Sequence, residues 1–203
     1  EHLSPIWESM GSALPDSGKG TLDRLLKQYS SVFSTGEMDL GRATAVKHRI
    51  NTGSAAPVRQ ALRRQPIAWQ AEIDRQMQQM EEQGLIYPCQ SEWAANLVVV
   101  KKKDGSLRCC VDYRQLNERT VKDSYPLPRT DDCLDALSGA AIFSVFDLRS
   151  GYFQVEMDPR DAHKTAFVTK RGLYAWRVMS MGLCNAPATF QRLMDTRSEE
   201  RRV

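Results

Sequence analysis

An α+β fold is predicted for this 203-residue sequence, and three features predict it. Apolar residues recur at helical spacing in two segments, 21–33 and 66–83. Apolar runs at 97–100 and 107–113 flank an Asp-Gly pair, the pattern of a β-hairpin. Further runs at 141–148, 153–157 and 165–178 read as strands.

Residues 1–20 hold Ser, Gly and Pro without a firm period and read as a linker with at most a short helical turn. In 21–33, Leu22, Leu25, Leu26, Tyr29, Val32 and Phe33 share a helical face, with Thr21 as N-cap. Thr44, Val46, His48 and Ile50 alternate as a weak strand, which makes His48 a half-buried strand residue. In 66–83, Trp69, Ile73, Met77 and Met80 form a core-packing stripe, Pro66 suits the first turn and Gly84 the C-terminal cap. Lys101, Lys102 and Lys103 precede Asp104-Gly105 at the hairpin tip. They either protect an edge strand or clamp phosphates. Tyr125-Pro126-Leu127-Pro128 is extended, because residues before proline avoid the helix. Thr130 then caps a short helix with Asp131 and Asp132 in its first turn, Leu134 and Leu137 facing inward, and Gly139 ending it. Arg171-Gly172 is a turn, and a last helix begins near Asn185 with Phe190, Leu193 and Met194.

Composition excludes several classes. Apolar residues are 41% and charged residues 26%, enough for a core and unlike a disordered tail. No apolar run reaches the roughly 18 to 20 residues of a membrane span. The chain opens on Glu1 with no signal-peptide pattern, so it reads as a piece of a longer, intracellular product. Cys89, Cys109, Cys110, Cys133 and Cys184 show no C-x-x-C spacing, and His2, His48 and His163 are not placed to complete a zinc site. Free thiols fit a reducing compartment. Net charge is only +3, but it is segmented. Residues 101–122 carry seven basic and three acidic side chains, 123–163 three basic and eight acidic, and 164–180 four basic and none acidic. A site that joins metal ions to a polyanion needs both signs close together.

Asp147 demands an explanation, because it ends the apolar run 142–146. A carboxylate at the end of a buried strand is costly unless hydrated, paired or bound to a metal. Magnesium prefers such oxygens together with substrate phosphates, and two ions can clamp the attacking and leaving oxygens of phosphoryl transfer.

Four stretches occur in order: LVVVKKKDGSLRCCVDYRQLN, DSYPLPRTDDCLDALSGA, FSVFDLRSGYFQVEMDPRDAHKTAFVTKRGLYAWRVM and MGLCNAPATFQRLMD. Together they resemble the reverse transcriptase of gypsy-type LTR retrotransposons, from about residue 44 to Asp195. The resemblance implies right-hand polymerase fingers (66–121 and 155–184) with an incomplete ferredoxin-like palm (122–154 and 185–195). Residues 1–43 would be a linker with a short helix, 44–65 an extended approach, and 196–203 an atypical tail. It implies Asp147 as the first catalytic aspartate and ligand of Mg2+ (or Mn2+), with the Leu148 carbonyl beside it. Ser150 and Gly151 would meet the incoming triphosphate through backbone amides, and Tyr152 would exclude a ribose 2′-hydroxyl. Lys102 and Arg108 would hold the triphosphate, Met181 would border the nucleotide pocket, and Arg114 would contact template. From the residues alone, Tyr152 packing and an Arg114–Asp112 ion pair remain open. Implied partners are an RNA or DNA template-primer, deoxynucleoside triphosphates and the rest of a Pol polyprotein, in the cytoplasm and with no membrane.

Two departures qualify this. Relatives carry a downstream Tyr-x-Asp-Asp with the remaining carboxylates, which this sequence lacks; Asp131-Asp132 follows Arg129-Thr130 and cannot replace it. One aspartate cannot fix two ions, so the chain alone is expected to be inactive. Ser180-Met181 also stands where relatives have Pro-Phe, and the final TRSEERRV lacks an apolar continuation, as after a break in reading frame. The rival expectations are a non-catalytic nucleic-acid-binding remnant and a relic that folds poorly.

Overall fold

The computed structural model describes residues 3–4, 7–8, 15–36, 39–141, 143 and 145–199. These belong to two compact units, Glu1–Gly41 and Arg42–Val203.

In the first unit, helix α1 (Asp16–Gln28) starts after Pro15, so Pro15 and not Thr21 is its N-cap. The proline ring already holds the extended φ, −63°, that the cap position takes, and part of the expected linker is therefore helical. A 3-10 turn, Ser30–Val32, follows. The expected apolar face is only partly covered: Leu26 is buried, whereas Leu25, Tyr29 and Val32 are exposed.

The second unit is built on a five-stranded sheet of order β2-β7-β6-β3-β4. Its strands are β2 (Ile86–Pro88), β3 (Ala95–Lys101), β4 (Leu107–Asp112), β6 (Phe167–Thr169) and β7 (Gly172–Trp176). β3 pairs β6 in parallel, and the other neighbours are antiparallel. A two-stranded parallel pair joins β1 (Ala43–His48) to β5 (Val155–Met157). Helix α2 (Ile67–Glu82) buries Ile73 and Met77, as the stripe predicts. Pro66 is its N-cap, one place before the expected first turn. Gly84, at φ +67°, donates its N–H to Glu81 O at 2.9 Å and ends the helix. The core gathers Phe167, Tyr113, Ile86, Val155, Val178 and Met179.

The hairpin forms as predicted, with Gly105 at φ +86° and Lys102 N donating to Ser106 O at 2.8 Å. Tyr113 leaves the strand, however, and heads a short helix, α3 (Arg114–Arg119), that the sequence reading lacks. Its hydroxyl donates to Thr165 O at 2.8 Å, so a buried polar tip is satisfied. His48 is wholly buried, at 1% exposure, and not half-buried, because helix α5 (Ala186–Glu199) packs over β1 and brings Thr189 Oγ1 to 2.8 Å from Nδ1. α5 starts beside Asn185 as expected but runs on to Glu199, through much of the predicted tail. Residues 200–203 lie outside the described residues.

Four expectations fail between residues 130 and 154. Arg129, not Thr130, precedes helix α4 (Thr130–Ala136), and no side chain caps it. Asp131 and Asp132 do occupy its first turn. Leu134 and Leu137 are 61% and 50% exposed and do not face inward. Residues 141 to 148 form no strand in their described part; Ile142 and Ser144 lie outside it. Phe143, Val145, Phe146 and Leu148 are exposed, Val145 to 91%. A strand exists only when a neighbour takes up its N–H and C=O groups, and no described strand lies beside this run. Residues 151–154 are a 3-10 turn, so the next strand starts only at Val155.

Candidate functional site

Asp147 belongs to that exposed run and does not end a buried strand. The chain then reverses at Ser150, where φ is 44° and ψ 52°. No other non-glycine among the described residues has positive φ, and the left-handed region is unfavourable for a side chain. The conformation is held locally: Phe153 N donates to Ser150 O at 2.8 Å and Gln154 Nε2 to Arg149 O at 2.9 Å.

The turn is seated on α5. A Cβ at Gly151 would lie 2.9 Å from Phe190 Cζ and 3.2 Å from Cε2, so a larger residue here would have to displace the Phe190 ring. Tyr152 meets Phe190 edge to face, with centroids 5.4 Å apart. Packing is thus shown for Tyr152.

Basic groups lie on the hairpin. Lys101, Lys102, Lys103 and Arg108 are exposed around the tip that Asp104 closes by accepting from Ser106 N and Oγ. Arg108 Nη2 lies against Met181 Sδ, which brings together two predicted site residues 73 positions apart. Asn117 fixes the loop that carries Met181, donating to Gly182 O at 2.8 Å and accepting from Cys184 N at 2.9 Å. Sequence reasoning missed Asn117, although it stands in a motif quoted above.

A strap, residues 121–125, is tied to the same helix. Asn185 donates to Val121 O and accepts from Asp123 N, Arg192 pairs with Asp123 at 2.9 Å and stacks over Tyr125, and Tyr125 Oη donates to Asp195 at 2.7 Å. These ties too were not foreseen.

Arg114 grips Asp112 through Nε at 2.8 Å and Nη2 at 2.6 Å. This fork is the main reason the Asp112 carboxyl is lowered to about 2. The Arg114 side chain is 77% exposed, so solvent screens the pair. Arg114→Ala is expected to cost under about 1 kcal/mol in urea unfolding; a loss above about 2 kcal/mol would show that the fork carries the β4–α3 junction.

Among the described residues, no three His, Cys, Asp or Glu side chains are grouped to hold a metal ion. Asp147 has the right donor chemistry, but these residues do not by themselves compose a two-ion site.

The hairpin, the turn after Asp147 and the helix beneath it coincide with a family match. Residues 100–202 fit the family described as reverse transcriptase (RNA-dependent DNA polymerase). The chain belongs to the reverse transcriptase family. The retrovirus-related Pol polyprotein from transposon 297 of Drosophila melanogaster is 39% identical over 182 residues, 86% of this chain and 17% of that protein. The protease-reverse transcriptase of prototype foamy virus superposes with a TM-score of 0.80 at 25% identity, over 98% of this chain and 27% of that one. A foamy viral protease-reverse transcriptase in complex with an RNA/DNA hybrid shares the fold, with a TM-score of 0.76 at 21% identity over 90% of this chain and 25% of that one. This reverse transcriptase domain thus spans under a fifth of the transposon polyprotein it matches. All five of its cysteines are free thiols. Among its described residues, no helix is long and apolar enough to cross a membrane.

Proposed function

We propose that the chain supplies the fingers and the opening of the palm to an RNA-directed DNA polymerase within a gypsy-type Pol polyprotein. The observation that carries this is the turn directly after Asp147, seated against Phe190 at a glycine whose Cβ would press on that ring. On this reading the fingers are 66–121 and 155–184 and the palm begins with 122–154 and 185–195; 1–43 and 44–65 lead in and 196–203 follow. Asp147 and the Leu148 carbonyl would hold Mg2+ or Mn2+, which in the full protein would neutralise charge during nucleotidyl transfer. Lys102 and Arg108 hold the triphosphate, a point charge and a planar fork suited to phosphate. The amides of Ser150 and Gly151 approach the same group, and Tyr152 stands against the sugar. Met181 borders the pocket beside Arg108, and Arg114 serves the template from its exposed face. In the full protein a primer 3′-hydroxyl attacks the α-phosphorus and pyrophosphate leaves, with an RNA or DNA template-primer and deoxynucleoside triphosphates as partners. The cytoplasm is the compartment that fits the free thiols.

The 203-residue chain alone is expected to lack synthesis, because Asp147 has no grouped carboxylates around it among the described residues. Primer extension on a homopolymer template with magnesium tests this, and robust synthesis by the chain alone would overturn it.

A second reading, a non-catalytic nucleic-acid binder, is favoured by the exposed lysines of the hairpin. Phosphate contacts predict a steep fall of affinity with salt. Filter binding across a salt series should show it, and Lys102→Ala should reduce the slope by about 1. A flat salt response would exclude both phosphate roles of the hairpin.

A further inference from the structure

The turn that carries Tyr152 is held from a distant part of the chain. Residues 42–48 lie upstream of the 100–202 family match, yet they tie to this turn and to the strand and helix that flank it. Arg42 Nη1 donates to the Phe153 carbonyl at 2.9 Å, inside the 3-10 turn itself. β1 pairs with β5, the strand that leaves the turn, and Asp158 N donates to His48 O at 2.8 Å. His48 Nδ1 and Thr189 Oγ1 are 2.8 Å apart, both side chains buried. Thr189 is followed by Phe190, whose ring lies over Gly151 and beside Tyr152. Segment 42–48 therefore reaches the Tyr152 turn from both its sides, the strand it feeds and the helix it rests on.

We propose that residues 42–48 are a positioning element of the nucleotide site: His48, through Thr189 and Phe190, and Arg42, through the Phe153 carbonyl, fix the ring of Tyr152. The functional sense of this rests on the reading that Tyr152 faces the nucleotide sugar. Arg42 and His48 are positioning residues; neither touches substrate. The device is mechanical. An aromatic ring discriminates a hydroxyl only if it cannot swing away, and Tyr152 is only half-buried. Its rigidity must come from Phe190, and that of Phe190 from α5 on β1.

Fluorine NMR tests this on the chain itself, without nucleotide. The six tyrosines are replaced by 3-fluorotyrosine, and the Tyr152 signal is assigned by its loss in Tyr152→Phe. That signal should shift in Phe190→Leu, Arg42→Ala and His48→Leu while the signals of buried Tyr113 and Tyr174 stay in place. It should return in His48→Asn, whose amide sits near the Nδ1 position and restores the bond to Thr189. A Tyr152 signal unmoved in Phe190→Leu or Arg42→Ala overturns the proposal, as does a shift in His48→Leu that Asn does not reverse. If His48→Leu unfolds, the exposed Arg42 decides alone: a shift in Arg42→Ala supports the proposal and its absence overturns it. The sugar reading fails by a different result, a Tyr152→Val full-length polymerase that incorporates ribonucleotides no better than the parent.

Discussion

Asp161→Ala is expected to lower unfolding free energy by about 3–5 kcal/mol, the range for removing one partner of a buried ion pair. The Asp161 side chain is 9% exposed and accepts from two donors, Ile50 N at 3.0 Å and Lys164 Nζ at 2.8 Å, with the Arg49 charge 3.7 Å away. Lys164 is itself only 16% exposed and keeps just the Ile50 carbonyl, at 2.6 Å, once the carboxylate is gone. The Ile50 N–H loses its acceptor where the residue is buried and water cannot readily replace it. The damage spreads, because Val121 N donates to Asn51 O next door and begins the strap to α5. Asp161→Asn keeps an acceptor for Ile50 but not the charge for Lys164, so about half the loss is expected. Urea unfolding measures both; a loss under about 1 kcal/mol for Asp161→Ala would mean that the network is hydrated and screened.

What the sequence reveals of this molecule follows the range of the interactions. α2 is legible because Ile73 and Met77 are one turn apart and bury the same face. The hairpin is legible because Asp104 and Gly105 make their turn from neighbouring residues. α3 has six residues, too few to show a period. Residues 141–148 have strand composition, but β propensity expresses fitness for a sheet and supplies no neighbour. Leu134 and Leu137 fail in the same way: their spacing defines a helix face and leaves open what covers it. The site divides along the same line. Asp147, Gly151 and Tyr152 are singled out by motif, and Phe190 is read as an apolar helix residue. The meeting of Gly151 and Tyr152 with Phe190 is a tertiary fact. The Asn117 clamp on residues 182–184 and the His48–Thr189 bond join residues 65 and 141 positions apart, and no local pattern encodes either.

Acid should weaken the fold through His48 before it does so through the carboxylates. Burial lowers the His48 imidazole from 6.5 to about 4, and the nearby Asp161 and Asp123 charges, which favour the proton, only partly offset this. The unfolded chain binds that proton near pH 6.5 and the folded chain does not, so stability is complete above pH 6.5 and declines as pH falls toward 4. Two and a half pH units correspond to roughly 3 kcal/mol at the full extent. The carboxylates act lower on the scale. Asp158 is held below the usual range first by Arg160 and then by Arg49, and Asp112 is lowered to about 2 by Arg114. Their contributions are present above the ordinary carboxylate range and are lost only on further acidification. The window between pH 6.5 and 4 therefore belongs mainly to His48, and urea unfolding of His48→Asn should be much flatter there than the parent chain. Equal slopes would place the acid-sensitive group elsewhere. The same protonation leaves Nδ1 a donor only and puts a charge beneath α5, so its cost falls on the contact between β1 and the helix that carries Phe190.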